Sequence, residues 1–310
     1  MKTVDFAQAK PSPVLMILTH PFRGVKNLLI TLRCLEAYTD LRAFKKIYIL
    51  ANASQGEHLA LIKRYVSKYP GLVQDVHCSP AGHNPCVAHM QNMVHEEHPA
   101  DAIIKMDDDM FVTPGWLPPM LEAYRKLQSD PKVGLIMPVV PVNTMGAKVL
   151  MEVMCALYGD EYKDLWVRGG HIGSNTGYHR FVWDKVLNDE LIAKYLATVT
   201  EPLHQSQGPG SHASINCCLY DQRLMDKVFP YNLPEEWFPD GEKKFDESII
   251  SRLVREGQLK TVVVKRSVVH HYAFNRCQDD MAAVHPIEKI YEYVMRLGQK
   301  AGRHRRAVVR

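Results

Sequence analysis

The feature that most restricts the fold of this chain is the alternation of short apolar runs with amphipathic segments in its first third. Residues 14–19 (VLMILT) are apolar almost throughout, which is typical of a strand covered on both faces of its sheet. A segment with apolar residues at helical spacing follows, and the same order recurs up to residue 106. Strands joined by single helices favour a parallel sheet with helices on both faces. The predicted strands span residues 14–19, 47–51, 72–78 and 102–106.

Polar residues follow three of these predicted strands directly. HPFRG (residues 20–24) follows the first strand, NAS (52–54) the second, and DDD (107–109) the fourth. Because ligands of parallel α/β sheets bind at the carboxyl ends of the strands, this placement indicates a binding site at one edge of the sheet.

Composition sets the broad class of protein. Of the 310 residues, 46% are hydrophobic and 23% are charged, which is typical of a globular protein with a substantial core. The formal net charge of +4 is too small to indicate a polyanionic partner by itself. The first ten residues lack the apolar core of a signal peptide, and no apolar run approaches the roughly 20 residues that span a bilayer. We therefore expect a soluble protein.

The cysteines favour the same interpretation. They are seven in number, scattered, and include no C-x-x-C pair. Neither a disulfide framework nor a structural zinc site is expected from this pattern. A reducing compartment is the simplest environment for such a chain, so we predict a cytoplasmic location.

The rest of the chain is less regular at first. Residues 139–210 contain several glycines and polar loops, which are typical of lids or acceptor sites over a rigid scaffold. Strands are predicted near 213–220, 261–264 and 267–271, and helices near 222–228, 246–257 and 287–297. The last residues form a basic tail without an acidic residue, and its basic residues are Lys300, Arg303, Arg305, Arg306 and Arg310.

The three consecutive aspartates repel one another unless a positive group lies among them. In an extended backbone Asp107 and Asp109 can point to the same side. Two carboxylates suit Mg²⁺ or Mn²⁺, which also take oxygens from a substrate diphosphate and neutralise the charge of a leaving nucleoside diphosphate. The alternative is a solvated loop that caps the turn at residues 113–115.

The stretch NPCVAHMQNMV…ADAIIKMDDDMFVTPGWL (residues 84–117) resembles the donor half of glycosyltransferases with the A-type fold, and it is most similar to their large family-2-like group. In those enzymes a polar N-x-x-x-x-A-x-x-x-N helix precedes a strand that ends in D-x-D. The resemblance covers residues 14–121 and resumes over 214–274. It implies a single Rossmann-like α/β domain with a mostly parallel central sheet, acceptor-side insertions and a C-terminal helix.

The resemblance also implies a division of the domain and a set of donor contacts. A nucleotide-sugar half would span residues 1–121, an acceptor and catalytic half 122–275, and the C-terminal helix with its tail 276–310. Asp109 would ligate the metal, and Asp107 would contact the metal, its bound water or the ribose. The remaining nucleotide contacts would come from Thr19, Arg23, Asn52, Ser54, Asn84 and Asp108.

Two of these residues have an equally good structural explanation. Ser54 with Glu57 forms a capping box for the helix that follows, and Asn84 before Pro85 is an N-cap signal. Both remain open between a capping and a ligand-binding role.

Relatives carry an acidic pair at the start of a helix that runs to R-L-x-x-x-G, and here Asp246-Glu247 precedes Arg252, Leu253 and Gly257. One carboxylate of the pair would deprotonate the acceptor hydroxyl, while acidic residues also favour helix N-termini for structural reasons. The order is reversed relative to the usual Glu-Asp, so which residue is the base stays open.

A histidine at the end of a late strand completes the metal site in many relatives. His270 and His271 occupy that position, and we prefer His270, because only one of two neighbours in a strand points inward. Acceptor-stacking roles are considered for Trp116, Trp166, Trp183 and Trp237, and His212 and Asn216 are further acceptor-side candidates.

The resulting prediction is a metal-dependent glycosyltransferase with Mn²⁺ or Mg²⁺ and a UDP-sugar donor, inverting by resemblance, with an unidentified acceptor. Alternatives are nucleotidyl or phosphoryl transfer at the same Asp–metal site, and glycosylation of modified bases in DNA. The basic tail suggests contact with an anionic surface.

Overall fold

The computed structural model describes residues 12–78, 84–168, 172–209, 211, 213–231, 245–274 and 277–308. Within these ranges nine strands form one sheet in the order β3-β2-β1-β4-β8-β6-β9-β5, and β7 pairs with β9. Six of the nine strands point in one direction, and β5, β7 and β8 run opposite to them. The strands are β1 (Val14–Thr19), β2 (Lys46–Asn52), β3 (Val73–Cys78), β4 (Ile103–Asp107), β5 (Met110–Val112), β6 (Val133–Val139), β7 (Leu203–Ser206), β8 (Cys217–Tyr220) and β9 (Lys260–His271).

Helices connect these strands and cover the sheet. They are α1 (Val25–Tyr38), α2 (Gly56–Lys68), α3 (Asn84–Glu97), α4 (Leu117–Leu127), α5 (Thr144–Arg168), α6 (Thr176–Asn188), α7 (Leu191–Thr198), α8 (Gln222–Val228), α9 (Phe245–Arg255), α10 (Gln278–Val284) and α11 (Ile287–Val308). The α/β class with a mostly parallel central sheet is therefore confirmed.

The first third folds as its pattern predicts. The four predicted strands are present as β1 to β4, and β1 lies between β2 and β4 in parallel register. Their apolar side chains are almost completely buried, because helices cover both faces of a doubly wound sheet. All four carboxyl ends lie at one edge of the sheet, and this edge carries the candidate site.

The region from 139 to 210 is more helical than expected. Instead of loops it contains α5, α6 and α7. Gly159 interrupts α5 with a φ of 48°, a conformation that glycine adopts at little cost, and Asn175 caps α6 by accepting a hydrogen bond from the Tyr178 backbone N–H. Glycine in this region therefore does not by itself mark a loop, since Gly177 lies within α6 and Gly159 only interrupts α5.

Two late elements also differ from expectation. The strand predicted near 213–220 is limited to β8, and the two strands predicted in 261–271 are one continuous strand, β9. Three residues of β9 bulge out between its pairs Pro138–Val264 and Val139–Val268 with β6. This irregularity explains why the sequence pattern suggested two strands.

The C-terminal helix α11 is longer than predicted and packs against α1 through the buried Ile290 and Val294. The Tyr38 hydroxyl on α1 donates a hydrogen bond to the Val294 carbonyl. The basic residues from Lys300 to Arg306 therefore belong to a helix, and Arg310 lies outside the described residues. Across the described part of the chain, no helix combines the length and apolarity needed to span a bilayer.

A disulfide links Cys78, at the end of β3, to Cys86 in α3, with the two Cα atoms 5.5 Å apart. The other five cysteines are free. The spacing of the cysteines does not predict this pair, since its members are eight positions apart in the sequence and belong to no recognisable motif. The cysteine pattern therefore no longer supports the predicted cytoplasmic location.

Candidate active site

The acidic turn lies at the carboxyl end of β4. Asp107 is the last residue of that strand, and Asp108 and Asp109 form the turn into β5. All three are buried, at 8%, 0% and 1% exposure. A solvated loop is therefore excluded, and each carboxylate needs a partner that offsets the cost of its burial.

Asp109 faces a histidine from β9. The short strand β5 pairs antiparallel with β9, so that Met110 lies opposite His271 and the Tyr272 backbone N–H donates to the Asp109 carbonyl. This register places His271 Nε2 3.1 Å from Asp109 Oδ2. A carboxylate and an imidazole thus meet at the edge of the sheet, in a region nearly closed to solvent.

The preference for His270 as the inward-facing histidine is wrong. Its ring lies 5.1 Å from that of Trp183 and 5.8 Å from that of Tyr293, on the opposite side of β9. Burial lowers the pKa of His270 to about 4, so the side chain is neutral. His270 is a core residue, and the alternation of faces along the strand directs its neighbour to Asp109.

Asp107 is held by Asn216, the residue directly before β8. Asn216 donates its side-chain N–H to Asp107 Oδ2 at 3.0 Å, and the Asp107 backbone N–H donates to the Asn216 carbonyl. Asn216 is oriented by the Ser214 hydroxyl, which itself accepts from Asn143. Asn216, predicted on the acceptor side, therefore supports the acidic turn.

Asp108 points back towards β1. Its Oδ2 accepts hydrogen bonds from the Thr19 hydroxyl at 2.5 Å and from the His20 backbone N–H at 3.2 Å. Its carbonyl accepts from the Thr31 hydroxyl of α1. Asp108 thus fixes the acidic turn to the first strand–helix connection.

A chain of hydrogen bonds continues from Thr19 to Ser54. The Thr19 Oγ1 lies 2.9 Å from His58 Nε2, and His58 Nδ1 lies 3.0 Å from Ser54 Oγ. Ser54 is not the helix cap that its spacing to Glu57 predicts, because the N-cap of α2 is Gln55 and makes no side-chain hydrogen bond. Its hydroxyl is used by the histidine instead.

Asn52 lies beside this chain at the end of β2. It is 5% exposed, and its Oδ1 has no hydrogen-bond partner among the described residues. The next residue, Ala53, has a left-handed φ of 51°, which is uncommon without glycine and turns the chain sharply between Asn52 and Ser54. An unpaired buried amide oxygen at a strand end is a candidate ligand-binding atom.

For several predicted site residues, the side chain or the whole residue lies outside the described part of the structure. Arg23 belongs to the short 3₁₀ helix Pro21–Arg23, and Asn84 is the first residue of α3, while the side chains of both lie outside the described part. The same holds for the side chain of Trp166 and for His212 and Trp237 altogether. Trp116 and Trp183 are core residues that donate to Thr39 and to the Tyr272 carbonyl, so neither stacks on an acceptor.

The acidic pair opens α9, as predicted. Asp246 Oδ1 accepts a hydrogen bond from the Glu247 backbone N–H at 2.8 Å, and both acidic residues lie in the first turn, where the helix dipole favours negative charge. Asp246 Oδ2 also lies 3.5 Å from the ammonium of Lys105 on β4. The first residue of the pair is therefore connected to the strand that carries the acidic turn.

Three residues near this site were not predicted from the sequence. Lys105 lies in an apolar strand and His58 in an amphipathic helix. His179 lies between residues 121 and 214, where the family resemblance does not extend. His179 is completely buried, and burial together with nearby His271 lowers its pKa to about 4. For Lys105 a signal existed, since a lysine inside a buried strand requires an anionic partner.

The Asp109–His271 pair fits a divalent cation. The two facing atoms, His271 Nε2 and Asp109 Oδ2, share a hydrogen bond of 3.1 Å, and an imidazole nitrogen and a carboxylate oxygen are both donors that divalent metal ions accept. Among the residues described, no group of three histidine, cysteine or acidic side chains could hold an ion by itself. A metal here would need further ligands, which substrate oxygens and water commonly supply.

Solved structures with the same fold include two transferases. Mannosyltransferase PcManGT from Pyrobaculum calidifontis, in complex with GDP-Man and Mn²⁺, is 11% identical with a TM-score of 0.50, and the match covers 86% of this chain and 58% of that chain. GalNAc-T7 with UDP, GalNAc and Mn²⁺ is 14% identical with a TM-score of 0.51, covering 89% and 48%. This chain thus spans about half the length of these proteins. No protein-family profile and no curated sequence matches it.

At such low identity the likeness concerns the fold. The chain has the A-type glycosyltransferase fold, which confirms the fold that the resemblance in residues 84–117 implies. In this fold the edge formed by the carboxyl ends of the parallel strands is the place where ligands bind. The buried acidic turn, the unpaired Asn52 oxygen and the acidic start of α9 belong to the elements that meet there.

Proposed function

We propose that this chain is a metal-dependent glycosyltransferase, which moves a sugar from a nucleoside-diphosphate sugar to an acceptor hydroxyl. The observation that carries the proposal is the Asp109–His271 pair, a carboxylate and an imidazole 3.1 Å apart at the carboxyl edge of the sheet. The two transferases of the same fold hold Mn²⁺ with GDP-Man, or with UDP and GalNAc.

Asp109 and His271 would hold the cation. Carboxylates suit Mg²⁺ and Mn²⁺ alike. Both transferases of the same fold hold Mn²⁺, so we infer that manganese is the preferred metal. When bound, this ion supplies Lewis-acid stabilisation of the charge on the leaving nucleoside diphosphate.

The nucleotide would lie along the ends of β1 to β4. We infer that the free Oδ1 of Asn52 accepts an N–H from the base, and that Asp107 contacts the ribose or metal-bound water. Ser54, Thr19 and Asp108 would shape this pocket through their shared hydrogen-bond chain, with Arg23 and Asn84 as further contacts. A uracil or a guanine offers a ring N–H for Asn52, and UDP remains the expected nucleotide.

The base would come from α9. Asp246 is our choice over Glu247, because its carboxylate contacts the strand that carries the acidic turn. An ionised carboxylate there would accept the proton of the acceptor hydroxyl as that oxygen attacks the anomeric carbon. Attack from the face opposite the leaving diphosphate inverts the anomeric centre.

The first experiment is calorimetric titration of UDP, GDP, CDP and TDP, each with and without Mn²⁺. We expect Mn²⁺-dependent binding of one nucleotide, lost in Asp109→Asn and in His271→Gln. His270→Gln is the matched control, since it alters the neighbouring histidine on the opposite face of β9. Equal loss in both histidine variants, or binding that ignores Mn²⁺, would contradict the proposed site.

Product analysis then separates the reaction classes. Incubation with the nucleotide sugar that matches the bound nucleotide should release nucleoside diphosphate. Release of nucleoside monophosphate or pyrophosphate would instead indicate the nucleotidyl or phosphoryl transfer that the same carboxylates could support.

A further inference from the structure

Lys105 is an unusual residue for the centre of a sheet. It lies in β4 between the apolar Ile104 and Met106, and only 4% of it is exposed. A buried ammonium group without partners would lose its proton or destabilise the fold, so its surroundings must hold compensating groups.

Three groups surround the ammonium. Its Nζ donates a hydrogen bond to the Ile215 carbonyl at 3.2 Å, and it lies 3.7 Å from Asp107 Oδ1 and 3.5 Å from Asp246 Oδ2. Two carboxylates within 4 Å offset the cost of burying the ammonium and favour its charged form. Lys105 is therefore a cation shared between two carboxylates.

These carboxylates belong to opposite sides of the candidate site. Asp107 ends the strand that leads into the acidic turn, whereas Asp246 opens α9, 139 positions later in the sequence. The side chains of Asp107 and Asp246 are 11% and 14% exposed, so solvent screens the ammonium only weakly from either. Asp246 is thus fixed at two points, by Lys105 through Oδ2 and by the Glu247 N–H through Oδ1.

We propose that Lys105 is a positioning residue, which holds the Asp246 carboxylate at the edge of the sheet where the donor binds. This inference rests on the proposed function, with Asp246 as the base. A base transfers a proton efficiently only within hydrogen-bond reach of the acceptor hydroxyl, so a residue that sets its position controls turnover without touching the substrate.

The first test asks whether Lys105 and Asp246 are coupled, independently of any activity. Urea unfolding is measured for Lys105→Met, Asp246→Asn and the double variant, and in parallel for the cycle with Glu256→Gln, an exposed carboxylate just after α9 that accepts from the Gln258 side chain. We expect Lys105→Met to destabilise much less in the Asp246→Asn background and as much as in the wild type in the Glu256→Gln background. Additive effects in both cycles would overturn the proposal.

The second test asks whether the coupling serves turnover. With the nucleotide sugar selected by calorimetry, Lys105→Met should lower kcat for nucleoside diphosphate release by about 100-fold, with KM changed by less than about threefold. In the Asp246→Asn background the same substitution should change kcat by less than about threefold. Lys105→Arg, which keeps the charge, should recover part of the lost rate and provides a second variant if Lys105→Met does not fold.

The results of these two tests distinguish a failure of the proposed function from a failure of the positioning role of Lys105. If the wild type binds no nucleotide and releases no diphosphate, the proposed function fails, and a surviving stability coupling leaves Lys105 with a purely structural role. If the wild type is active but Lys105→Met lowers kcat equally in both backgrounds, the function stands and the positioning role is overturned.

Discussion

The two sides of the candidate site are held by different forces. On the donor side, Ser54, His58, Thr19 and Asp108 form a chain of hydrogen bonds in which only the last member carries a charge. On the base side, a buried ammonium joins Asp107 to Asp246. The first arrangement consists of directional hydrogen bonds that join the end of β1 to α2 and to the acidic turn. The second is electrostatic and joins β4 to the start of α9.

The direction of the donor-side chain follows from its charged end. Asp108 accepts, so the single proton of the Thr19 hydroxyl is used there, and Thr19 must accept from His58 Nε2–H. His58 Nδ1 then accepts the Ser54 hydroxyl proton. This assignment requires neutral His58, and burial, followed by the nearby His20, lowers its pKa accordingly. The Nε2–H tautomer of His58 therefore orients Ser54, His58 and Thr19, and protonation of His58 in acid would disrupt this arrangement.

The largest loss of stability should come from removing the buried Lys105 ammonium. Lys105→Met leaves two buried carboxylates without their cation, and we expect it to lower the free energy of unfolding by about 3–5 kcal/mol, measured by urea unfolding. The matched control is Lys63→Met, which breaks a pair with Asp75 in which the lysine is 57% exposed. That variant should lose at most about 1 kcal/mol. Equal losses would show that burial of Lys105 has no energetic consequence.

Breaking the donor-side chain should have a smaller effect. Thr19→Val keeps the shape of the side chain but removes both of its hydrogen bonds, and we expect a loss of about 1–3 kcal/mol in the free energy of unfolding. Thr198→Val, at an exposed position where the hydroxyl donates to the Tyr195 carbonyl, should change it by less than about 0.5 kcal/mol. A loss as large as that of Lys105→Met would remove the distinction between the two sides.

The smallest effect concerns mild acid. Because the pKa of His58 is lowered in the folded state, the unfolded chain binds the additional proton, and stability falls as the pH drops below about 6.5. Urea unfolding at pH 7, 6 and 5 should show a slope that is up to about 1.4 kcal/mol per pH unit shallower in His58→Gln than in the wild type. Identical slopes would mean that His58 titrates alike in both states. The buried His95, His179 and His270, with pKa values lowered to about 4, contribute to both proteins equally.

The sequence predicted the parts of this molecule that depend on local pattern. The apolar runs of β1 to β4, the acidic turn after β4 and the acidic start of α9 were all found at the expected positions. The carboxyl ends of neighbouring parallel strands meet wherever such a sheet forms, so polar residues after those strands could be assigned to one edge without coordinates.

The parts that were missed depend on tertiary contacts. The role of Lys105 requires Asp246, and that of His58 in α2 requires Thr19 at the end of β1, so neither follows from its own surroundings in the sequence. The helices between 144 and 198 are not predicted, because the glycines and polar residues of this region are typical of loops. The Cys78–Cys86 pair needed the relative position of β3 and α3.

The bulge in β9 has a consequence for comparing this chain with others. The bulge separates the part of β9 that pairs with β7 from the part that pairs with β5. It also determines which face of the sheet each later side chain of β9 points to. A one-residue insertion or deletion there would exchange His270 and His271 between the core and the acidic turn without altering either residue. Relatives with a single histidine should therefore be aligned by counting from the bulge, because identity at either position alone does not reveal which face the imidazole occupies.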